Sequence, residues 1–126
     1  MKYSKQREII LEYLRFVKTH PTAETIYEEV RKKDNKISLG TVYRNLDKLA
    51  FQGVIKRIKM ANEKDRFDGD VSLHYHGKCI KCNSVIDIFL KENIDLSIDE
   101  HVKNETNINV VSHDIIFNVI CPNCDK

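Results

Sequence analysis

Residues 38–53 of the sequence read SLGTVYRNLDKLAFQG. Apolar side chains recur in this stretch at the spacing of one helix face, at Leu39, Val42, Leu46 and Leu49. Ser38 can accept a hydrogen bond from a backbone N–H of the first turn, and Gly53 is a residue type that commonly ends a helix. The stretch therefore predicts a capped helix whose apolar face must pack against other elements.

The preceding sequence predicts two more helices of the same kind. Apolar residues at helical spacing fill residues 4–18, with Ser4 as an N-cap, and His20 and Pro21 interrupt the pattern. Thr22 can cap a second helix, whose apolar positions are Ala23, Ile26, Tyr27 and Val30. Three short helices in a row predict a small helical bundle.

The periodicity changes after Gly53. Residues 54–58 and 66–67 are rich in strand-forming side chains and flank a polar turn, which predicts a two-stranded hairpin. Three helices followed by a basic hairpin predict a winged helix-turn-helix. Polar side chains that can reach base edges and phosphates lie off the apolar face of the third helix, at Thr41, Arg44, Asn45 and Lys48.

Charge is distributed unevenly along the 126 residues, whose net charge is +2. Residues 1–66 hold 16 Lys and Arg against 9 Asp and Glu, and residues 67–126 hold 5 against 10. A net of +7 favours DNA as the partner of the first half, although chance on a solvated surface is the alternative. No apolar run approaches the ~18–20 residues of a membrane span, and no secretory signal is present, so we expect a cytoplasmic protein without membrane association.

The second half predicts mainly strands, over residues 73–79, 85–89 and 110–121, with a helix over residues 94–103. We therefore predict an α+β chain in which residues 1–67 form a winged-helix domain and residues 71–126 form a small α/β domain. Asp68, Gly69 and Asp70 are the expected hinge between them.

All four cysteines lie in the second half, in the two C-x-x-C pairs Cys79/Cys82 and Cys121/Cys124. Four thiolates form the closed tetrahedral shell of a structural zinc, which would also compensate for a small core. Redox or disulfide pairing is the alternative, and reduced cytosolic thiols disfavour it.

A second set of metal ligands precedes the first cysteine pair. His74 and His76 are two residues apart, so a strand places both imidazoles on one face, and the carboxylates of Asp68 and Asp87 could come near. Mixed imidazole and carboxylate ligation suits Fe²⁺ or Mn²⁺. Taken singly, Asp68 is a turn former and His20 a loop residue, and we assign no metal to His101 or His113.

With these motifs the sequence resembles the ferric uptake regulator family of metal-responsive repressors, and within it the peroxide-sensing branch. The matching segments are HPTA at residues 20–23, TVYRNL at 41–46, RFD at 66–68, HYH at 74–76, Asp87 and both C-x-x-C pairs. They span nearly the whole chain in the order of the family.

The resemblance implies a homodimer that binds a palindromic operator in double-stranded DNA through its N-terminal winged-helix domain. It implies a C-terminal dimerisation domain with one structural Zn²⁺ per chain on the four cysteines. It also implies one regulatory Fe²⁺ or Mn²⁺ per chain, held by His20, Asp68, His74, His76 and Asp87. The candidate DNA-binding residues are Thr41, Tyr43, Arg44, Asn45 and Lys48.

The resemblance also indicates a signal. Asp87 stands where the iron-sensing branch more often has Glu, and in the peroxide-sensing branch His20 and His74 match ligands that are oxidised to 2-oxo-histidine. We therefore expect a repressor, not an enzyme, that senses hydrogen peroxide. Arg44 is typical of iron sensors, so an iron-responsive repressor insensitive to peroxide is the alternative; a small metalloenzyme, suggested by the H-x-H pair with carboxylates, is a remote one.

Overall fold

The structure, a computed structural model, describes residues 2–126, with side chains described from Lys5 onward. The chain forms two compact units, one ending at Ser72 and the other covering Leu73–Lys126. Asp68 and Gly69 belong to the first of these, and the domain boundaries given above stay a prediction. Within the described residues, no helix is both long enough and apolar enough to cross a membrane.

The first unit is a winged helix. Its elements are α1 (Lys2–Phe16), α2 (Ala23–Val30), α3 (Leu39–Phe51), β1 (Lys56–Ile58) and β2 (Arg66–Asp68), and the two strands pair antiparallel. The predicted order of three helices and a hairpin is confirmed. One apolar core joins the helices to the hairpin, and its fully buried members include Ile10, Leu14, Ile26, Val42, Leu46 and Phe67.

Local capping explains where the helices begin and end. The side chains of Thr22 and Ser38 accept hydrogen bonds from the N–H groups of Thr25 and Thr41, at 3.3 and 3.1 Å, and so begin α2 and α3 as predicted. Gly53 follows α3 in the left-handed region, with φ of 75°. The prediction for Ser4 is wrong, because α1 begins at Lys2 and Ser4 lies inside the helix.

The segment before α2 is attached to the hairpin. The Phe67 N–H donates to the carbonyl of Pro21 at 3.0 Å, and Thr22 forms an isolated antiparallel bridge with Arg66. The Arg66 guanidinium also donates to the carbonyl of His20 at 3.3 Å. The start of α2 and the strand β2 are therefore held as one piece.

The second unit contains a three-stranded sheet and one helix. Its elements are β3 (Tyr75–Cys79), β4 (Val85–Ile88), α4 (Asp95–Thr106) and β5 (Ile116–Val119). The strand order is β4-β3-β5, with β3 antiparallel to β4 and parallel to β5. Among the described residues of this unit, the buried apolar side chains are those of Tyr75, Cys79, Val85 and Cys121.

The last strand is shorter than the predicted stretch 110–121. Only Ile116–Val119 pairs with the sheet, and residues 110–115 have no strand structure. His113 explains the difference, because its two ring nitrogens lie 2.8 Å from Asp99 Oδ1 and 3.0 Å from Asp95 Oδ1. These contacts hold the segment to α4 instead of to the sheet.

We expect Gly69→Ala to destabilise the first unit. A Cβ at this position would lie 2.6 Å from the carbonyl oxygen of Leu14 and 2.7 Å from its carbonyl carbon, and backbone atoms of a buried helix turn cannot move aside. Overpacking of this kind typically costs about 1–3 kcal/mol of unfolding free energy, which urea titration would measure.

Gly40→Ala is the matched control for this substitution. The nearest atom to its added Cβ is Arg44 Nη1 at 3.2 Å, at the end of a flexible side chain, and alanine is favoured in a helix. The stability of this variant should equal or exceed that of the original chain. Equal urea midpoints for the two variants would show that Gly69 is not closely packed.

Candidate metal centres and nucleic-acid interface

The four cysteines meet at one end of the sheet of the second unit. Cys79 ends β3 and Cys121 follows β5, and because these strands are parallel their carboxyl ends lie at the same edge. Cys82 and Cys124 each follow in a tight turn, closed by hydrogen bonds from Asn83 N–H to Cys79 O and from Cys124 N–H to Cys121 O. Each C-x-x-C pair therefore folds back toward the other.

The sulfur positions fit a tetrahedral metal. All four Sγ atoms lie within 4.8 Å of one another, and those of Cys82 and Cys121 are 3.8 Å apart. Zinc–sulfur bonds of about 2.3 Å at the tetrahedral angle separate the sulfurs by about 3.8 Å. The cysteines are free thiols in the structure, so their proximity does not come from disulfide bonds.

The protonation of the thiols also favours a cation. The N–H of Cys121 donates to Cys79 Sγ at 3.4 Å and is the main cause of a Cys79 pKa lowered to about 6. Contacts with the other three sulfurs, that of Cys121 first, raise the pKa of Cys124 to about 12. Several thiolates at such short range repel one another, and a divalent cation removes this repulsion.

A second group of donor atoms lies in the same unit at the start of β3. His74 Nε2 and His76 Nε2 are 3.2 Å apart, and Asp87 Oδ1 on β4 lies 3.0 Å from the first and 3.3 Å from the second. His76 and Asp87 are direct partners across β3 and β4. Two donors that each lie about 2.1 Å from one metal ion, at a right angle to each other, are about 3 Å apart. The three atoms therefore match one triangular face of an octahedral coordination shell.

The remaining predicted ligands form a pair within the first unit. His20 Nε2 lies 3.3 Å from Asp68 Oδ2, and both side chains are buried. His20 follows the end of α1 with φ of 55°, a left-handed conformation that is uncommon for residues other than glycine and often found at functional sites. Asp68 ends β2, and its other oxygen accepts the N–H of Asp70 at 2.9 Å.

The other two histidines have different surroundings. His101 is exposed on α4. His113 lies between Asp95 and Asp99, and the hydrogen bond with Asp95 is the main cause of its raised pKa. Its two contacts use opposite ring nitrogens, so the aspartates bind the imidazole and do not form a common donor set with it. The signal in the sequence for this contact is the spacing of Asp95 and Asp99, one helix turn apart.

The exposed side of α3 differs from its predicted composition at one position. Tyr43, Arg44 and Lys48 are exposed and Thr41 is partly buried. The Arg44 guanidinium donates to Thr41 Oγ1 at 3.1 Å, which orients it along the helix.

Asn45 is the position that differs. It is fully buried, where its amide donates to the carbonyl of Thr41 at 2.9 Å and accepts from Arg7 Nε at 3.5 Å. Its placement off the apolar face was therefore wrong, because internal hydrogen bonds allow an amide to occupy the core.

Arg57 of the hairpin is a contact residue that we had not predicted. Its guanidinium contacts Asp47 on α3 and lies 3.3 Å from Asp65 Oδ2 in the segment that enters β2. It also lies over the Phe67 ring, 5.0 Å from the ring centre. This arginine fixes the hairpin against α3.

Comparisons with known proteins agree with this architecture. The chain matches the ferric uptake regulator family over residues 1–126. It is 32% identical over 126 residues to the peroxide operon regulator of Bacillus subtilis, a match that covers 100% of this chain and 86% of that protein.

Two solved structures are similar as well. The Helicobacter pylori ferric uptake regulator has a TM-score of 0.76 and 30% identity, covering 98% of this chain and 84% of that chain. The Campylobacter jejuni peroxide stress regulator has a TM-score of 0.76 and 31% identity, covering 98% and 91%. Since the family match spans every residue and the match to the B. subtilis protein covers 86% of that protein, the chain belongs to the ferric uptake regulator family.

Proposed function

We propose that the protein is a metal-dependent DNA-binding repressor that senses hydrogen peroxide and then releases its operator. Asp87 supports peroxide as the signal, because the iron-sensing branch more often has Glu at this position. Its carboxylate lies next to both His74 and His76. Two of the similar proteins, from B. subtilis and C. jejuni, are named for peroxide. Those relatives are regulators, so nothing in the comparisons supports a metalloenzyme.

The four cysteines would hold a structural Zn²⁺, one per chain. Two of the buried apolar side chains described in the second unit are Cys79 and Cys121, so metal binding and core formation would use the same residues. A closed four-sulfur shell has no open position for a substrate, which favours a purely structural role.

The regulatory Fe²⁺ or Mn²⁺ would be bound by His20 and Asp68 together with His74, His76 and Asp87. Each group is compact within its own unit, with donor separations of 3.0–3.3 Å. A cation bound by both groups would favour one arrangement of the two units over others. Repression would then follow from a shift in population and would not need a new contact with DNA.

The DNA-binding surface would be the exposed side of α3 together with the hairpin. Tyr43, Arg44 and Lys48 are exposed there, and Thr41 supports Arg44. Two copies of the chain would present two α3 helices to successive major grooves, so a homodimer would recognise a palindromic operator.

Peroxide sensing would use the histidine ligands. Held by these residues, a ferrous ion would supply one electron to hydrogen peroxide, whose O–O bond breaks to give hydroxide and an oxidant beside an imidazole. The imidazole of His20 or of His74 would then gain one oxygen atom and bind the metal less tightly. Because both side chains are buried, oxidant formed within the site would reach them more readily than oxidant in solution. The cysteines would be protected as zinc thiolates.

An iron-responsive repressor is the second candidate function, favoured by Arg44. This side chain is exposed on α3 and is a residue type that typically reads guanine in the major groove. The same metal site would then report iron concentration, and peroxide would have no effect on DNA binding.

Cys124→Ser should abolish zinc binding and unfold the second unit. Structural zinc in small sites contributes about 10 kcal/mol or more to folding, and three sulfurs cannot close the shell. Metal analysis and thermal unfolding would measure the effect. Asn123→Ser, at the exposed neighbouring position, is the control and should keep one zinc per chain. A Cys124→Ser protein with full zinc content and unchanged melting would contradict the assignment.

His76→Ala should remove metal-dependent DNA binding and leave the zinc content unchanged. Loss of partners outside the ligand shell already weakens metal sites by about 10–100-fold, so loss of a ligand should weaken Mn²⁺ binding by at least about 100-fold. Titrating Mn²⁺ into protein mixed with operator DNA would show this. His101→Ala should behave like the original chain, because His101 is exposed on α4. If His76→Ala kept the original Mn²⁺ dependence, His76 would not be a ligand.

Peroxide should add oxygen to His20 or His74 in the Fe²⁺ form and not in the Mn²⁺ form. Trypsin releases residues 19–31, with His20 as the single histidine, and residues 67–78, which hold His74 and His76. Mass spectrometry with fragmentation would locate the added oxygen, and residues 92–103, with His101, are an internal control. A Fe²⁺ protein that releases DNA when iron is removed but keeps its histidines intact in peroxide would support the iron-responsive alternative.

A further inference from the structure

Glu24 connects three elements of the winged helix through one carboxylate oxygen. It lies in the first turn of α2, and its Oε2 atom accepts a hydrogen bond from the Tyr43 hydroxyl on α3 at 2.6 Å. The same oxygen lies 3.0 Å from Nζ of Lys64, in the turn between β1 and β2. This carboxylate therefore joins α2 to both α3 and the hairpin turn.

The position of Glu24 is itself well fixed. Thr22 caps α2 two residues earlier, and the Pro21 carbonyl is hydrogen-bonded to Phe67 of β2. Glu24 is about one-third exposed, and the hydrogen bond from Tyr43 is the main cause of its lowered pKa. The carboxylate therefore stays charged at neutral pH, and it offers a fixed acceptor to two donors on elements that contact DNA in our proposal.

We propose that Glu24 is a positioning residue for DNA recognition, which fixes the Tyr43 side chain of α3 and the Lys64 side chain of the hairpin relative to each other. This inference depends on the proposed DNA binding. A carboxylate near the DNA-contacting face repels phosphates, so removing it should raise affinity for any duplex. Loss of the positioning effect should instead lower affinity, and only for the specific sequence.

The ratio of the affinity for a specific duplex to the affinity for a non-specific duplex separates these two effects. The specific probe is a palindromic duplex selected by the original chain from a randomised pool, and the non-specific probe is a scrambled duplex of equal composition. Glu28→Gln is the matched control, because Glu28 lies on the same helix and forms an exposed ion pair with Arg31 at 3.7 Å. This control should raise both affinities equally and leave their ratio unchanged.

Glu24→Ala should lower the ratio by about tenfold relative to Glu28→Gln, since a hydrogen bond to a charged group contributes at least about one factor of ten. Glu24→Gln should recover part of this loss, because its amide oxygen still accepts from Tyr43. The double variant Glu24→Ala with Tyr43→Phe should lose no more than the larger single loss, since the two side chains share one interaction. Unchanged thermal unfolding of Glu24→Gln would exclude a general loss of structure.

Two outcomes would overturn the proposal in different ways. If the original chain discriminated between the probes and Glu24→Ala discriminated as well as Glu28→Gln, the positioning role would be wrong and the proposed function would stand. If the original chain did not discriminate between duplexes under any metal condition, both would fail.

Discussion

The close approach of four cysteine sulfurs is the constraint on which the second unit depends. The parallel pairing of β3 with β5 brings Cys79 and Cys121 together, and the two tight turns add Cys82 and Cys124. The described core of this unit is otherwise only Tyr75 and Val85, and α4 has no buried residue. Hydrophobic burial on this scale is small for a folded unit, so a metal ion bound by the four cysteines, as proposed, would add to its free energy of folding.

This constraint also affects the histidine group. His76 lies on β3, one residue after Tyr75 and three before Cys79. The Tyr75 hydroxyl accepts a hydrogen bond from the Ile94 N–H at the start of α4. Asp87 faces His76 across the β3–β4 ladder. The same strand β3 therefore carries His76 in its pairing with β4 and Cys79 in its pairing with β5, so a change in the position of β3 would affect both donor groups.

The first unit is stabilised differently, and its charge has a different use. Its core is a buried apolar cluster of twelve side chains. Its excess of Lys and Arg can therefore stay on the surface, at side chains such as Lys48 and Lys64. Acidic side chains also lie in this unit, and two of them, Glu24 and Asp47, each contact a basic or hydroxyl group of a neighbouring element. Both carboxylates position basic or hydroxyl side chains on this surface, although their own negative charge would repel the phosphates of DNA.

The sequence predicted those features that depend on local chemistry. Ser38, Thr22 and Gly53 mark helix ends because their capping interactions involve residues within a few positions. The two-residue spacing within each C-x-x-C pair indicates a metal site. Asn45 was misplaced because its partners Thr41 and Arg7 satisfy its amide inside the core, and periodicity alone assigns an amide to the surface. The contact of His113 with α4 and the role of Glu24 depend on tertiary packing, which no local pattern contains.

Under the proposed function, the two donor groups would let one cation control DNA binding. A ligand shifts a conformational equilibrium only by the difference in its affinity for the two states. Here His20 and Asp68 are already together in one unit, and His74, His76 and Asp87 in the other, so binding needs little rearrangement inside either. The affinity difference between states would then come from whether both groups reach the same ion. Oxidation of one imidazole would weaken its bond to the ion and so reduce that difference.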